Sequence, residues 1–160
     1  MNIDEFFMKK ALSLAKDAYN NDEIPVGAVL VKDGCIISEG FNNKDNQKNV
    51  TRHAELIAIE KASNKLNDWR LCDTTLYVTM EPCPMCASAI QQSRIKRLVY
   101  GCSSNNEENE KIINLILKNS KYNHSVELTK NILEKQCSKI IKDFFKQKRK
   151  KEKFKLFPGK

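Results

Sequence analysis

No stretch of this 160-residue sequence is apolar over anything near the roughly 18 residues that a membrane-spanning helix requires. The opening Met1-Asn2-Ile3-Asp4-Glu5 carries acids where a secretion signal places bases ahead of an apolar run. A soluble, cytoplasmic protein with no membrane partner is therefore expected. Cysteine occurs six times, too few for a disulfide scaffold in a chain of this length. Cys35, Cys72, Cys102 and Cys137 stand alone at no metal-like spacing and read as small apolar fillers. There is no internal repeat, and the length suits one domain that buries its own core.

The charge is concentrated. The net +8 is matched by residues 139–160 alone, where ten Lys or Arg face two acids, Asp143 and Glu152. Phe144, Phe145, Phe154 and Phe157 are interleaved with these bases. Such a segment either contacts phosphates or is a solvated helix end with a frayed tail, and composition leaves both readings open.

Residues 3–20 have the three-and-four spacing of an amphipathic helix, with Phe7, Ala11, Leu14, Ala15 and Ala18 on one face. The apolar run 26–31, the turn pair Asp33-Gly34 and the segment 35–41 predict an antiparallel hairpin. Residues 42–50 read as a loop. Thr51 is placed to cap a following helix, with His53 and Glu55 in its first turn and Leu56, Ile57 and Ile59 as core candidates. Strands are expected over 76–79, 97–101 and 125–128, a helix from the Cys-x-x-Cys segment to about Ser93, and an acidic loop over 105–110. Residues 112–117 read as helical. A last helix begins near Asn131 and packs through Ile132, Leu133, Ile140, Ile141 and Phe144. This alternation implies helices layered on a sheet.

Two short motifs carry the chemistry: His53-x-Glu55 and, about 30 residues on, Pro82-Cys83-x-x-Cys86. One imidazole and two thiolates suit tetrahedral zinc, and three protein ligands leave the fourth position to water, as catalytic sites do. A fourth thiol from Cys72 or Cys102 would close the site instead, although neither has a usual ligand spacing. Cysteines three apart share one helix face, and a helix N-terminus favours thiolate over thiol. Residues two apart diverge by about 200° on a helix, so His53 and Glu55 can meet one site only at a helix end. Glu55 would then be a proton shuttle beside the metal's water rather than a ligand.

The two motifs together are identified as the signature of the zinc-dependent nucleobase deaminases. Beyond them, most of the chain resembles the bacterial tRNA-specific adenosine deaminases, which convert the wobble adenosine of an arginine tRNA to inosine. The resemblance rests on residues 23–31 (Glu-Ile-Pro-Val-Gly-Ala-Val-Leu-Val), Gly40-Phe41-Asn42, His53-Ala54-Glu55, Trp69-Arg70-Leu71 and residues 75–86. It continues through Ser93-Arg94-Ile95, Asn123-His124 and Phe144-Phe145. It implies a cytidine-deaminase-like, three-layer α/β/α sandwich around a five-stranded mixed sheet. The deaminase domain would span 1–150, followed by a basic tail over 151–160.

The same resemblance implies one Zn2+ per subunit, a homodimer, and a tRNA anticodon stem-loop as partner. Asn42 would contact the flipped nucleoside, and the Pro82–Cys83 backbone would hydrogen-bond near the water. Asn123 would lie in the anticodon-loop groove. Phe144, Phe145, Lys148 and Arg149 would grip flanking nucleotides. Glu55 would carry protons to the ring nitrogen N1 and to the departing ammonia.

One stretch departs from the family pattern. Residues 102–110 (Cys-Ser-Ser-Asn-Asn-Glu-Glu-Asn-Glu) lack the family's glycines, and Ser104 falls where an aspartate contacts the substrate's ribose region. Either the loop has drifted or the substrate has changed. The rival functions are a small-molecule deaminase of guanine or cytosine type and a non-catalytic, zinc-stabilised RNA-binding subunit.

Overall fold

The computed structural model describes residues 2–121 and 123–156. Phe157, with the rest of the tail from 157 to 160, lies outside them. In chain order the elements are α1 (Ile3–Asn20), β1 (Gly27–Lys32), β2 (Cys35–Phe41), α2 (Lys44–Gln47), α3 (Ala54–Leu66) and β3 (Thr74–Met80). They continue with α4 (Pro84–Gln92), β4 (Arg97–Cys102), α5 (Glu107–Leu117), β5 (Glu127–Thr129) and α6 (Glu134–Leu156). The five strands form one mixed sheet in the order β2-β1-β3-β4-β5. β1 is antiparallel to both neighbours, whereas β3, β4 and β5 run parallel. The expected three-layer architecture is present.

The hairpin forms as anticipated, because Asp33 and Gly34 both take positive φ (51° and 75°), the pairing that matches a two-residue turn to strand twist. Two apolar clusters cover the sheet. On one face α3, α4 and α5 contribute Ala54, Ala58, Ala62, Ala87, Ile90 and Ile113; on the other, α1 and the α6 region contribute Phe7, Met8, Ala11 and Cys137. Buried on both sides, β1 is accordingly almost continuously apolar, and β3 carries Leu76, Tyr77 and Val78 at its centre.

Several local expectations are corrected. The 42–50 loop contains the short helix α2, and buried Glu23 holds this segment by accepting from the backbone and side-chain amides of Asn46 at 2.7 and 2.9 Å. Thr51 does not cap α3: its amide and hydroxyl are taken by Asn49. His53 occupies the cap position, and Asn42 reaches across to accept from the Ala54 amide at 2.8 Å. The sheet-facing side of α3 is Ala54, Ala58 and Ala62, with Leu56, Ile57 and Ile59 only half-buried. The helix lies too close to β2 for larger side chains: a Cβ on Gly40 would strike the Ala54 carbonyl oxygen.

The acidic loop is largely helix. Asn106 caps α5 by accepting from the Asn109 amide at 3.1 Å, and Glu107, Glu108 and Glu110 occupy the first turn. Negative charge there complements the helix dipole, which a charge-based reading of the loop overlooks. β5 begins later than expected. α6 starts at Glu134, after Asn131 and Leu133 take left-handed backbone conformations, and runs unbroken through the basic segment to Leu156. Of the four isolated cysteines, Cys102 and Cys137 are buried fillers as expected, whereas Cys35 and Cys72 are exposed. No helix among the described residues is long and apolar enough to cross a membrane.

An ion pair that the sequence does not announce closes the sheet onto α1. Arg97 on β4 makes a two-pronged contact with Asp4 (2.9 and 2.7 Å), and Tyr77 on β3 donates to the same carboxylate at 2.8 Å. Arg97 also donates to Thr129 on β5. The Arg97 hydrogen bonds hold the Asp4 carboxyl below its ordinary value of 3.8 against the opposing effect of burial.

Removing one partner from such a largely buried pair strands the other, so Arg97→Ala is expected to cost about 3 kcal/mol of unfolding free energy in urea titrations at pH 7. A depressed carboxylate stabilises the fold above its unfolded value and loses that contribution as pH falls through its folded value. The stability advantage of the wild type over Asp4→Asn should therefore be full at pH 6 and shrink below pH 3.8. Gly40→Ala should destabilise by about 2 kcal/mol and lower zinc content as well, because it pushes on the helix start that carries His53.

Candidate metal centre and active-site cavity

Two helix N-termini converge on one point. His53 is the N-cap of α3 in extended backbone (φ −83°, ψ 149°), and Glu55 is the second residue of that helix. The helix-end placement resolves the 200° problem: the imidazole projects from outside the helix and the carboxylate from within it. Cys83 is the N-cap of α4, Pro84 opens the helix where no amide hydrogen is needed, and Cys86 follows one turn on.

The ligand atoms of His53, Cys83 and Cys86 lie within 4.8 Å of one another, and among the described residues they are the group able to hold a metal ion. His53 Nδ1 is 3.7 Å from Cys83 Sγ and 3.5 Å from Cys86 Sγ. Tetrahedral zinc, with sulfur at about 2.3 Å and nitrogen at about 2.0 Å, separates such ligands by about 3.6 Å. The three residues therefore fit zinc with Nδ1 turned inward. Cys102 lies in the apolar cluster beneath α1 and Cys72 is exposed, so neither joins the set. Three ligands leave one position open.

The three groups are electrostatically coupled to one another. The Cys83 thiol is drawn down to about 4, first by its hydrogen bond with Cys86 and then, against burial, by His53. Cys86 is pushed up because the Cys83 sulfur and burial both oppose a second negative charge. The hydrogen bond to Cys83 raises His53. Two adjacent sulfurs compete for one negative charge, and a divalent ion removes that competition by replacing their protons. Burial raises the Glu55 carboxyl, which is 4 % exposed.

A cavity of about 320 Å³ opens beside these groups, near the lower end of small-molecule sites. Asn42, His53, Glu55, Cys83, Ser104 and Phe145, all singled out in the sequence, line it. Asn42 is oriented without ambiguity: its carbonyl oxygen accepts from Ala54, so its amide nitrogen is the group left to donate. Pro82 is buried in the strap that carries Cys83, and its carbonyl accepts from Asn109 at 3.1 Å.

Other expected residues lie elsewhere. Asn123 is half-buried in the segment after α5, outside the cavity lining. Its neighbour His124 contacts the Ile95 carbonyl at 3.0 Å. Phe144 is 4 % exposed and packs edge-on against Tyr19 and Phe145, which leaves no face for a nucleotide. Phe145, 38 % exposed, is the member of the pair that meets the cavity. Lys148 lies 5.6 Å from the Phe144 ring, and Arg149 is exposed on α6. The sequence reading assigns no role to Glu81, Asn106 or Asn109, all of which line the cavity. The available signal for Glu81 is an acid at the carboxyl end of a parallel strand, where α/β sheets place their ligands.

Comparison with known proteins agrees with this geometry. Residues 1–102 match the family model of the cytidine and deoxycytidylate deaminase zinc-binding region. The chain is 43% identical over 148 residues to the tRNA-specific adenosine deaminase of Buchnera aphidicola subsp. Schizaphis graminum, a match covering 92% of this chain and 97% of that protein. It is 39% identical over 153 residues to the tRNA-specific adenosine deaminase of Bacillus subtilis strain 168, covering 96% and 95%. A solved structure from studies of A-to-I editing by tRNA:A34 deaminases at the wobble position of transfer RNA superposes with a TM-score of 0.78 at 36% identity. That match covers 84% of this chain and 98% of the other.

Metal analysis of the purified protein is expected to give one zinc per chain. Cys86→Ser should reduce that to well below half occupancy, and chelation of the wild type should lower its melting temperature by several degrees.

Proposed function

This chain belongs to the cytidine and deoxycytidylate deaminase family, and from that premise we propose that it hydrolytically deaminates the wobble adenosine to inosine in a tRNA anticodon loop, with an arginine tRNA as substrate. The observation that carries the reading is a buried carboxylate, Glu55, beside a three-ligand zinc set in one base-sized cavity. A structural zinc site has no use for either the open position or the acid.

The reaction adds water across C6: a C6–O bond forms, the C6–N6 bond breaks and ammonia leaves. His53, Cys83 and Cys86 would hold the zinc ion, which when bound would supply the positive charge that makes water nucleophilic near neutral pH. Glu55 takes a proton from the incoming water and delivers it to N1, so that the ring can accept electrons. It then takes the proton of the new C6 hydroxyl and passes it to the amine, which leaves as ammonia as the C6–N6 bond breaks. Burial suits it to the task, because desolvation favours a carboxyl that holds a proton for part of the cycle. Asn42 donates its amide hydrogen to a ring acceptor while its oxygen keeps α3 in place. Phe145 stacks on a neighbouring base at the cavity rim, and Lys148 and Arg149 meet phosphates. Asn123 contributes to binding of the anticodon loop outside the cavity. The bases of an anticodon loop are already partly unstacked, so extrusion costs less there than in a duplex.

The supporting surface is α6, whose residues 139–156 hold nine of the chain's Lys and Arg on a helix that begins its basic stretch beside the cavity. We further read the protein as a cytoplasmic homodimer that binds RNA.

Given an arginine tRNA anticodon stem-loop, free adenosine, cytidine and guanine, the protein is expected to release ammonia and form inosine only from the RNA. Turnover of a free base or nucleoside instead would overturn the assignment. Glu55→Ala should keep its zinc and fold while inosine formation falls about 1000-fold or more. Raising salt from about 50 to 200 mM should lower kcat/KM for the stem-loop at least tenfold, and a salt-insensitive rate would contradict the phosphate contacts.

A further inference from the structure

Glu81 stands in the wall of the reaction cavity and has no part in the chemistry described above. It is 5 % exposed. Both hydrogen bonds it receives come from Ser104, the backbone amide at 2.9 Å and the hydroxyl at 2.5 Å, and both end on Oε2. The second oxygen, Oε1, is buried and has no partner among the described residues. A nearby donor is already committed: Asn109 gives its side-chain amide to the Pro82 carbonyl at 3.1 Å. Buried carboxylate oxygens are rarely left without a donor, because nothing replaces the water they have lost. Within a cavity built for a ligand, such an atom marks where a ligand's donor belongs.

The chemistry of the substrate narrows the donor. In an adenosine embedded in RNA, the 3′ and 5′ oxygens are esterified and the exocyclic amine lies at the reacting carbon. The hydroxyl that remains is the ribose 2′-OH, the group by which proteins separate RNA from DNA. We propose that Glu81 is a specificity-determining residue, accepting a hydrogen bond through Oε1 from the 2′-OH of the nucleotide that enters the cavity. Ser104 is its positioning residue: by occupying Oε2 twice it fixes the carboxylate and leaves Oε1 as the acceptor. Oε1 is covered, so the carboxylate turns a little on its soft terminal torsion, with the Ser104 hydroxyl following Oε2, to meet an arriving hydroxyl. The inference rests on the RNA deaminase reading and names the feature of the substrate that this wall selects.

The test uses the anticodon stem-loop with the target adenosine carrying ribose, 2′-deoxyribose or 2′-fluororibose, the last keeping a ribose-like pucker without a donor. The wild type is expected to favour ribose in kcat/KM by about tenfold or more over both analogues. In Glu81→Gln the side chain keeps its shape and can still accept from Ser104, but it offers an amide hydrogen where Oε1 stood. Its ribose preference should fall to within about twofold. Zinc content and melting temperature of the variant are measured alongside. Should the variant lose its metal or its fold, the wild-type series decides: a 2′-fluoro substrate as slow as the 2′-deoxy one supports the proposal, and one as fast as ribose overturns it. A full ribose preference in folded Glu81→Gln also overturns it. Failure of the wild type to deaminate any stem-loop would overturn the tRNA reading itself, and this inference with it.

Discussion

The close approach of α3 to the sheet is the constraint on which the site depends. Gly40 offers no side chain where the helix begins, and Ala54, Ala58 and Ala62 are the smallest residues that still favour a helix. Ser38 on β2 then donates to the Ala58 carbonyl at 2.7 Å, which fixes the helix along its axis. A larger residue at any of these positions would displace the N-terminus of α3, and with it His53 and Glu55. The ligand distances of 3.5 and 3.7 Å leave little room for such a shift, since tetrahedral zinc tolerates errors of only a few tenths of an ångström. Packing of small, uncharged residues thus sets where the metal ligands stand.

The second half of the site arrives on a crossover helix as well. β3 and β4 are parallel, so the chain must cross over between them, and α4 makes that crossing. Its first turn necessarily lies past the carboxyl end of β3. Cys83 and Cys86 are placed there, with the positive end of the helix dipole beneath them. α3 likewise crosses between parallel strands, since β2 and β3 are both antiparallel to β1, so its first turn lies past the carboxyl end of β2, at the same end of the sheet. The two helix N-termini meet because β2 and β3 share a direction, each running against the β1 strand between them.

What the sequence revealed and what it hid divide along physical lines. Periodicity and turn chemistry located α1, the hairpin and the strands, because burial on one face leaves a regular trace. The metal set was legible because histidine and paired cysteines at those spacings have few other uses. The capping of α3 was not, since local rules favour Thr51 whereas the donor's partner comes from Asn42, 12 residues away. Asp4 and Arg97, 93 residues apart, left no sequence trace for the same reason. The 105–110 segment was misread because acids suggest a solvated loop, when their position at a helix start is what makes them favourable there. Phe144 and Phe145 look equivalent in sequence, yet one helical step of about 100° sends the first into the core and the second to the cavity.

Asn42 and Glu81 show how a small fold supplies a specific pocket from few polar groups. Each side chain has two polar ends and commits one of them to the protein. Asn42 spends its oxygen on the first amide of α3 and keeps its nitrogen; Glu81 spends Oε2 on Ser104 and keeps Oε1. The committed end restricts the rotational freedom that would otherwise be lost on binding, so the remaining end has less entropy to lose. The two free ends have opposite polarity, one donor and one acceptor. A nucleoside has the matching pair, ring nitrogens that accept and a sugar hydroxyl that donates. Ser104 acquires a clear purpose on this view. Its hydroxyl and amide bind one Glu81 oxygen and leave the other for the substrate.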